Sequence, residues 1–183
     1  EGDEVIVQGY TCVVVSNAIR KTGARPVYVD VGDDLNMDPD VLRSKISSNT
    51  KVIIIQHTFG NPAPVGDIIA VAREHSIPTI EDCAHSLGGE IAGAKMGTIA
   101  DIGMLSFGSD KVASCVRGGA LLTSSLELAA RIESAQALLP EMRRGKIVRH
   151  LMYYPVFSIG KPLYFHGIGK LLFVISRRFR ITA

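Results

Sequence analysis

The run Lys51–His57, KVIIIQH, limits what this chain can fold into more than any other stretch. Its apolar residues are consecutive, not alternating. That predicts a strand covered on both faces, as in the middle of a parallel sheet. Parallel strands need long crossovers, and the flanking sequence supplies them. EVIVQ reads as a short strand, and TCVVVSNAIRKTG as a helix whose C-terminus is capped by Gly23. RPVYVDV is the next strand. MDPDVLRSKI is a helix with Asp38 at the N-cap and Pro39 at the first helical position. PVGDIIAVAREHS gives a third helix, with Val65, Ile68, Ile69, Val71 and Ala72 as its apolar positions, and IPTIED another buried strand. IGMLSF and GALLTS are two more strands around GSDKVASCVRGG, and SLELAARIESAQALL is a helix that stops near Pro140. This alternation predicts right-handed βαβ units and an α/β fold, a mostly parallel sheet with helices on both faces.

A chain of 183 residues with 46% apolar content can bury a core of its own. Its net charge of +2 hides an asymmetry. Residues 1–140 carry 11 Lys/Arg against 17 Asp/Glu, whereas 141–183 carry 9 against 1 and hold 7 of the 11 Phe and Tyr residues. We therefore divide the chain into an α/β domain at 1–140 and a basic, apolar tail at 141–183. The scattered cysteines Cys12, Cys83 and Cys115 form no disulfide framework and no CxxC pair, so a reducing, cytoplasmic setting is expected and no metal site. The chain opens with acids, not with a basic then apolar run, which predicts no signal peptide. It also opens without Met and in mid-pattern, which predicts a piece of a longer protein.

In an open α/β sheet, ligands bind beyond the carboxyl ends of the strands. Three polar clusters fall there: His57, then Glu81, Asp82 and His85, then Ser106 to Lys111. Their convergence predicts that the strand IPTIED delivers its acids to a cleft. There is no GxGxxG after the first strand and no GxxxxGK[ST], which argues against a Rossmann dehydrogenase or a P-loop nucleotidase. A buried carboxylate facing a lysine suits pyridoxal phosphate (PLP). Such a lysine attaches to the cofactor aldehyde, and the acid keeps the pyridine nitrogen protonated.

Taken together, GDEVIVQGYTCVVVSNAIRKTGARPVYVDV, IEDCAHSLGG and SFGSDK…RGGALLT resemble the DegT/DnrJ/EryC1/StrS family of PLP-dependent sugar aminotransferases. The resemblance runs from about Gly2 to about Ser134 and implies the type I, aspartate aminotransferase-like fold. It implies transamination of a keto sugar, typically nucleotide-linked, with an amino acid donor such as glutamate, in amino-sugar and cell-surface polysaccharide biosynthesis. It places Lys111 at the cofactor-bearing lysine and Asp82 at the partner of the pyridine nitrogen. His85 stands where His or Gln approaches the ring hydroxyl, and Ser106 where a hydroxyl meets the phosphate. Tyr10, Thr11 and Cys12 match the segment that covers the PLP face. The resemblance also implies a homodimer and no nucleic-acid partner. Three positions depart from the family pattern. Cys12 stands where an aromatic is usual, Gly108 where His is common, and Arg117 where Glu or Asp is common, reversing a charge near the site. The family's N-terminal phosphate turn and most of its C-terminal domain are absent from these residues.

Taken singly, these residues have bland readings. A lysine in a Gly/Ser loop is usually solvated, and a strand-end Asp can cap a helix. His57 could serve only the HTFGNP turn, and Cys83 is expected to fill space under the cofactor. Rival readings are a PLP-dependent sugar dehydratase, a metal-dependent hydrolase using Asp82, His85 and His57, and a non-catalytic, membrane-associated relative. The dehydratase replaces the lysine with histidine, so Lys111 argues against it, and the His/Asp spacing matches no metal-ligand motif. The tail is interrupted by Pro155, Gly160, Lys161, Pro162, His166 and Lys170, too often for a transmembrane helix. It reads either as a membrane-surface segment through 147–180 or as a connection towards a further domain whose surface covers it.

Overall fold

The computed structural model describes residues 2–178. Six strands form one sheet in the order β2-β1-β3-β4-β7-β8: β1 Glu4–Gln8, β2 Arg25–Val29, β3 Thr50–Gln56, β4 Thr79–Asp82, β7 Ile102–Ser106 and β8 Gly119–Leu122. The first five are mutually parallel, and β8 pairs antiparallel with β7. Helices α1 (Val13–Lys21), α2 (Pro39–Lys45) and α3 (Val65–Glu74) make the crossovers. α2 begins as the sequence predicts: Asp38 Oδ1 accepts from the backbone of Asp40 at 2.8 Å and of Val41 at 3.3 Å, with Pro39 next. α1 ends at Gly23, whose φ of +87° closes the turn as its N–H bonds Arg20 O.

The chain leaves β1 in one direction to β2 and returns past it to β3. Right-handed crossovers then place α1 on one face and α2 with α3 on the other. The packing agrees. Ile6, Val29, Ile53 and Ile55 share one buried cluster with Leu42 of α2 and Ile68 and Val71 of α3. On the opposite face, Tyr28 Oη bonds Ser16 Oγ of α1 at 3.1 Å. The α2/α3 face is closed, whereas Ile54, Ile80, Ile102 and Met104 on the α1 face are only half-buried.

The Gly- and Ala-rich segment after Asp82 contains a small antiparallel hairpin, β5 Glu90–Ile91 with β6 Ala94–Lys95. It buries part of itself: Met96 packs with Cys83 and Leu105. Beyond β8 come α4 (Leu126–Ala137), α5 (Arg144–Leu151), α6 (Tyr153–Gly160) and α7 (Ile168–Arg178). None of the helices is long and apolar enough to cross a membrane, among the described residues.

Candidate active site

Because β1, β3, β4 and β7 run parallel, their carboxyl ends share one edge. There they surround a cleft of about 410 Å³, next to the point where the chain's path from β1 reverses. Tyr10, Cys12, Asp82, His85, Ser106 and Lys111 all line it. These six residues expected from the sequence are thus brought to one place. Lys111 sits in the turn after β7, its N–H bonded to Gly108 O at 3.1 Å. Its Nζ lies 2.8 Å from His85 Nε2 and 3.2 Å from Asp110 Oδ2. The amine and the imidazole face each other, so one carries the proton that the other accepts. Gly108 lies beside them; a Cβ there would sit 3.5 Å from Lys111 Cγ and 3.7 Å from Ser106 Oγ.

Asp82 closes the floor of the cleft. It is buried, and among the described residues its carboxylate accepts one hydrogen bond, from Ala84 N–H at 3.0 Å. Burial raises its pKa, and Ala84 N–H with the nearby His85, Lys111 and His57 only partly offset this. A desolvated carboxylate with spare acceptor capacity is the chemistry that a protonated ring nitrogen would satisfy.

Glu81 corrects the expectation that β4 sends both acids to the cleft. Adjacent strand residues face opposite sides, so Glu81 points behind the sheet. Its Oε1 accepts from His57 Nε2 at 2.9 Å and Gly97 N–H at 2.7 Å, and its Oε2 from Ile99 N–H at 3.0 Å and Ala100 N–H at 3.3 Å. Burial alone would raise its pKa, but these donors outweigh that and hold it at about 2. His57 is committed to this bracket. Its Nδ1 accepts Ala63 N–H at 3.0 Å, which leaves Nε2 carrying the proton given to Glu81. Its ring borders the cleft, but both nitrogens are taken.

Cys83 is likewise behind the strand, not under a ligand. Its Sγ lies 3.5 Å from Glu81 Oε1, and burial pushes the thiol up to about 12, which removes it as a nucleophile. Donor atoms of His57, Glu81 and Cys83 lie within 4.8 Å of one another, but the imidazole and carboxylate are already saturated by protein groups. Arg117 is not among the cleft residues. It lines a separate groove with Ser114, Ile147 and His150, and its charge helps lower the pKa of His150, after burial.

Three cleft features escaped the sequence reading. Phe59, 71% exposed, stands edge-on to Tyr10 at 6.2 Å and to His85 at 6.0 Å, making an aromatic wall. It is held by a turn in which Gly60, at φ +87°, passes so close to His85 that a Cβ would lie 2.9 Å from its carbonyl oxygen. The buried Gln8 side chain donates to Tyr10 O at 2.8 Å and Thr58 Oγ1 at 2.8 Å and accepts from Met37 N–H at 3.2 Å, fixing the Tyr10 segment. Gln56 accepts from Thr11 Oγ1 and so anchors the same segment from β3. The polar residue ending an otherwise apolar strand was the available signal for both glutamines.

This arrangement fits PLP. An amine, a desolvated carboxylate, a strand-end hydroxyl and an aromatic wall converge on one cleft at the tips of a mostly parallel sheet, the type I fold of PLP-dependent transferases. The sequence pattern of the DegT/DnrJ/EryC1/StrS aminotransferase family matches residues 1–153, and the chain belongs to that family. One relative is the L-glutamine:2-deoxy-scyllo-inosose aminotransferase of Streptoalloteichus tenebrarius, 38% identical over 137 residues, which cover 74% of this chain and 32% of that protein. Among solved structures, DesI in the presence of its TDP-sugar product superposes with a TM-score of 0.70 at 32% identity, covering 73% of this chain and 34% of DesI. A second solved structure, S. venezuelae DesV in complex with a ketimine intermediate, superposes with a TM-score of 0.72 at 29% identity, covering 78% of this chain and 39% of DesV. The chain therefore spans about a third of the length of the proteins it matches.

Proposed function

We propose that this protein is a PLP-dependent aminotransferase that moves an amino group from an amino acid, such as glutamate or glutamine, to a keto sugar. The observation that carries the reading is the Asp82 carboxylate and the Lys111 amine facing one cleft from neighbouring strand ends. A nucleotide-linked sugar is favoured by the likeness to DesI, which was solved with a TDP-sugar product. The inosose relative widens the class to cyclic polyol ketones. The pathway we assign is amino-sugar formation for cell-surface polysaccharide.

When bound, PLP supplies the electron sink that makes a carbon–hydrogen bond beside nitrogen acidic. Asp82 would receive the ring N–H and hold the proton on that nitrogen. The Ser106 hydroxyl, at the tip of β7, would donate to the phosphate. Tyr10 and Phe59 would flank the cofactor on one side with aromatic surface. Lys111 Nζ would attach the cofactor and take the proton from the donor carbon, with His85, 2.8 Å away, keeping that amine oriented. Cys12 lines the cleft, but the Tyr10–Phe59 pair supplies the aromatic surface that Cys12 lacks. Arg117 lies elsewhere, so neither departure argues for a non-catalytic relative.

A homodimer is part of the proposal. Val13, Val14 and Phe59 leave apolar surface exposed around the mouth of the cleft, which a second copy would cover. A cytoplasmic location is supported by the three free thiols. Borohydride reduction of the full-length protein after PLP addition tests the central reading. The cofactor should be fixed on the peptide containing Lys111 and lost in Lys111→Ala. Attachment at another lysine, such as Lys95, refutes it.

A further inference from the structure

We propose that helices α5–α7 form a docking surface for an anionic lipid bilayer, on which the protein lies without crossing it. The first observation is charge. After Glu141 the sequence contains no acid, while Arg143, Arg144, Lys146, Arg149, Lys161 and Lys170 follow in turn. A surface shaped to meet another part of a mixed-charge protein would be expected to carry both signs, whereas a surface facing a polyanion carries one.

The second observation is where the apolar side chains lie. α6 and α7 form a hairpin with a packed interior of its own. The rings of Phe157 and Phe173 meet edge-on at 5.6 Å, Tyr153 stacks on Phe157 at 5.8 Å, and Gly160 lies against the Phe173 ring. Outside that interior Phe165 is 92% exposed, and Ile168, Leu171 and Ile175 lie exposed at i, i+3 and i+7 on α7, with Ile159 and Val174 exposed as well. At about 100° per residue, Lys170 and Arg177 lie on the side of the helix away from this stripe, and Arg178 lies beside Leu171 and Ile175. A helix with an apolar stripe on one side and cations on the other suits the boundary between lipid headgroups and acyl chains. They do not suit nucleic acid, whose phosphates offer nothing to Ile or Leu.

The third observation is length. α5, α6 and α7 have 8, 8 and 11 residues, too short to span a bilayer but long enough to lie in its interface. The family match stops at residue 153, so α6 beyond its first residue and all of α7 lie outside the shared scaffold. Tyr154 Oη bonds Ser114 O at 2.7 Å and Ser114 Oγ at 2.8 Å, which ties the hairpin to the loop that follows Lys111. The cleft would thereby be held at a fixed attitude to the membrane.

The test does not depend on catalysis. The full-length protein is sedimented with vesicles of phosphatidylcholine alone or with about 30% phosphatidylglycerol, at low salt and at about 0.5 M salt. We expect binding to the anionic vesicles only, weakened by salt. Each cation near such a surface strengthens partition about fivefold, so Lys170→Ala with Arg177→Ala should weaken it about twentyfold. Phe165→Ser with Leu171→Ser should weaken it at least about tenfold. All four side chains are exposed, and circular dichroism checks that the variants fold. Equal binding to neutral vesicles, or binding to neither, overturns the proposal. So does a result in which the apolar variants leave lipid binding intact but dissociate the oligomer, which would make this face a contact between copies.

Discussion

Behind β4 and in front of it, two adjacent carboxylates live in opposite surroundings. Glu81 lies in a closed bracket, with four N–H donors on its two oxygens among the described residues and a pKa held at about 2. Asp82 faces an open cleft with one donor and a raised pKa. The same chemical group is structural where the protein satisfies it and functional where the protein leaves it wanting a partner. The bracket also explains how a Gly- and Ala-rich loop is held: by its backbone N–H groups at Gly97, Ile99 and Ala100, beside the burial of Met96.

This contrast can be broken by exchanging the fates of the two acids. The largest effect should come from Glu81→Ala, which strands three backbone donors and the His57 Nε2–H in a dry interior. A loss of about 3–5 kcal/mol of folding stability is expected in urea unfolding. A loss under about 1 kcal/mol would show that the bracket is not closed. Asp82→Asn should cost little stability, within about 1 kcal/mol, yet lower transamination by the full-length protein about a hundredfold or more. Steady-state kinetics beside the unfolding curve decides it, since unchanged turnover would move the function elsewhere.

Acidification sharpens the contrast further. The pKa of Glu81 is lowered from 4.5 to about 2 by folding, so its contribution is fully present above pH 4.5 and is lost as pH falls towards 2. At about 1.4 kcal/mol per unit, that contribution is on the order of 3 kcal/mol. The pKa of Asp82 is raised, so protonating it relieves a cost and acts in the opposite sense. Unfolding curves across this window should lose their steep acid limb in Glu81→Gln but keep it in Asp82→Asn. The smallest effect concerns the join between the two regions. Gly60→Ala adds a methyl 2.9 Å from His85 O at a positive φ and should cost about 1–2 kcal/mol. It should also shift the pH dependence of cofactor attachment at Lys111, because His85 moves. A change in stability with no change in that profile would separate the turn from the site.

The sequence alone determined the order of the six sheet strands and of α1 to α4, because consecutive apolar β-branched runs, an Asp–Pro helix start and a Gly helix stop are local signals. It also determined that Asp82, His85, Ser106 and Lys111 meet. Parallel strands bring their carboxyl ends to one edge whatever their order, and the motif spacing singles out those positions. It did not determine which side of the sheet each residue faces. Side chains alternate along β4, so one of Glu81 and Asp82 must be hidden, but which one depends on the faces to which the crossovers carry α1, α2 and α3. The same choice commits His57 and Cys83 to the bracket, while long-range packing sets Arg117 in a separate groove and brings Phe59 against Tyr10 and His85. These are contacts between segments far apart in the chain, and only the packed tertiary structure sets their geometry.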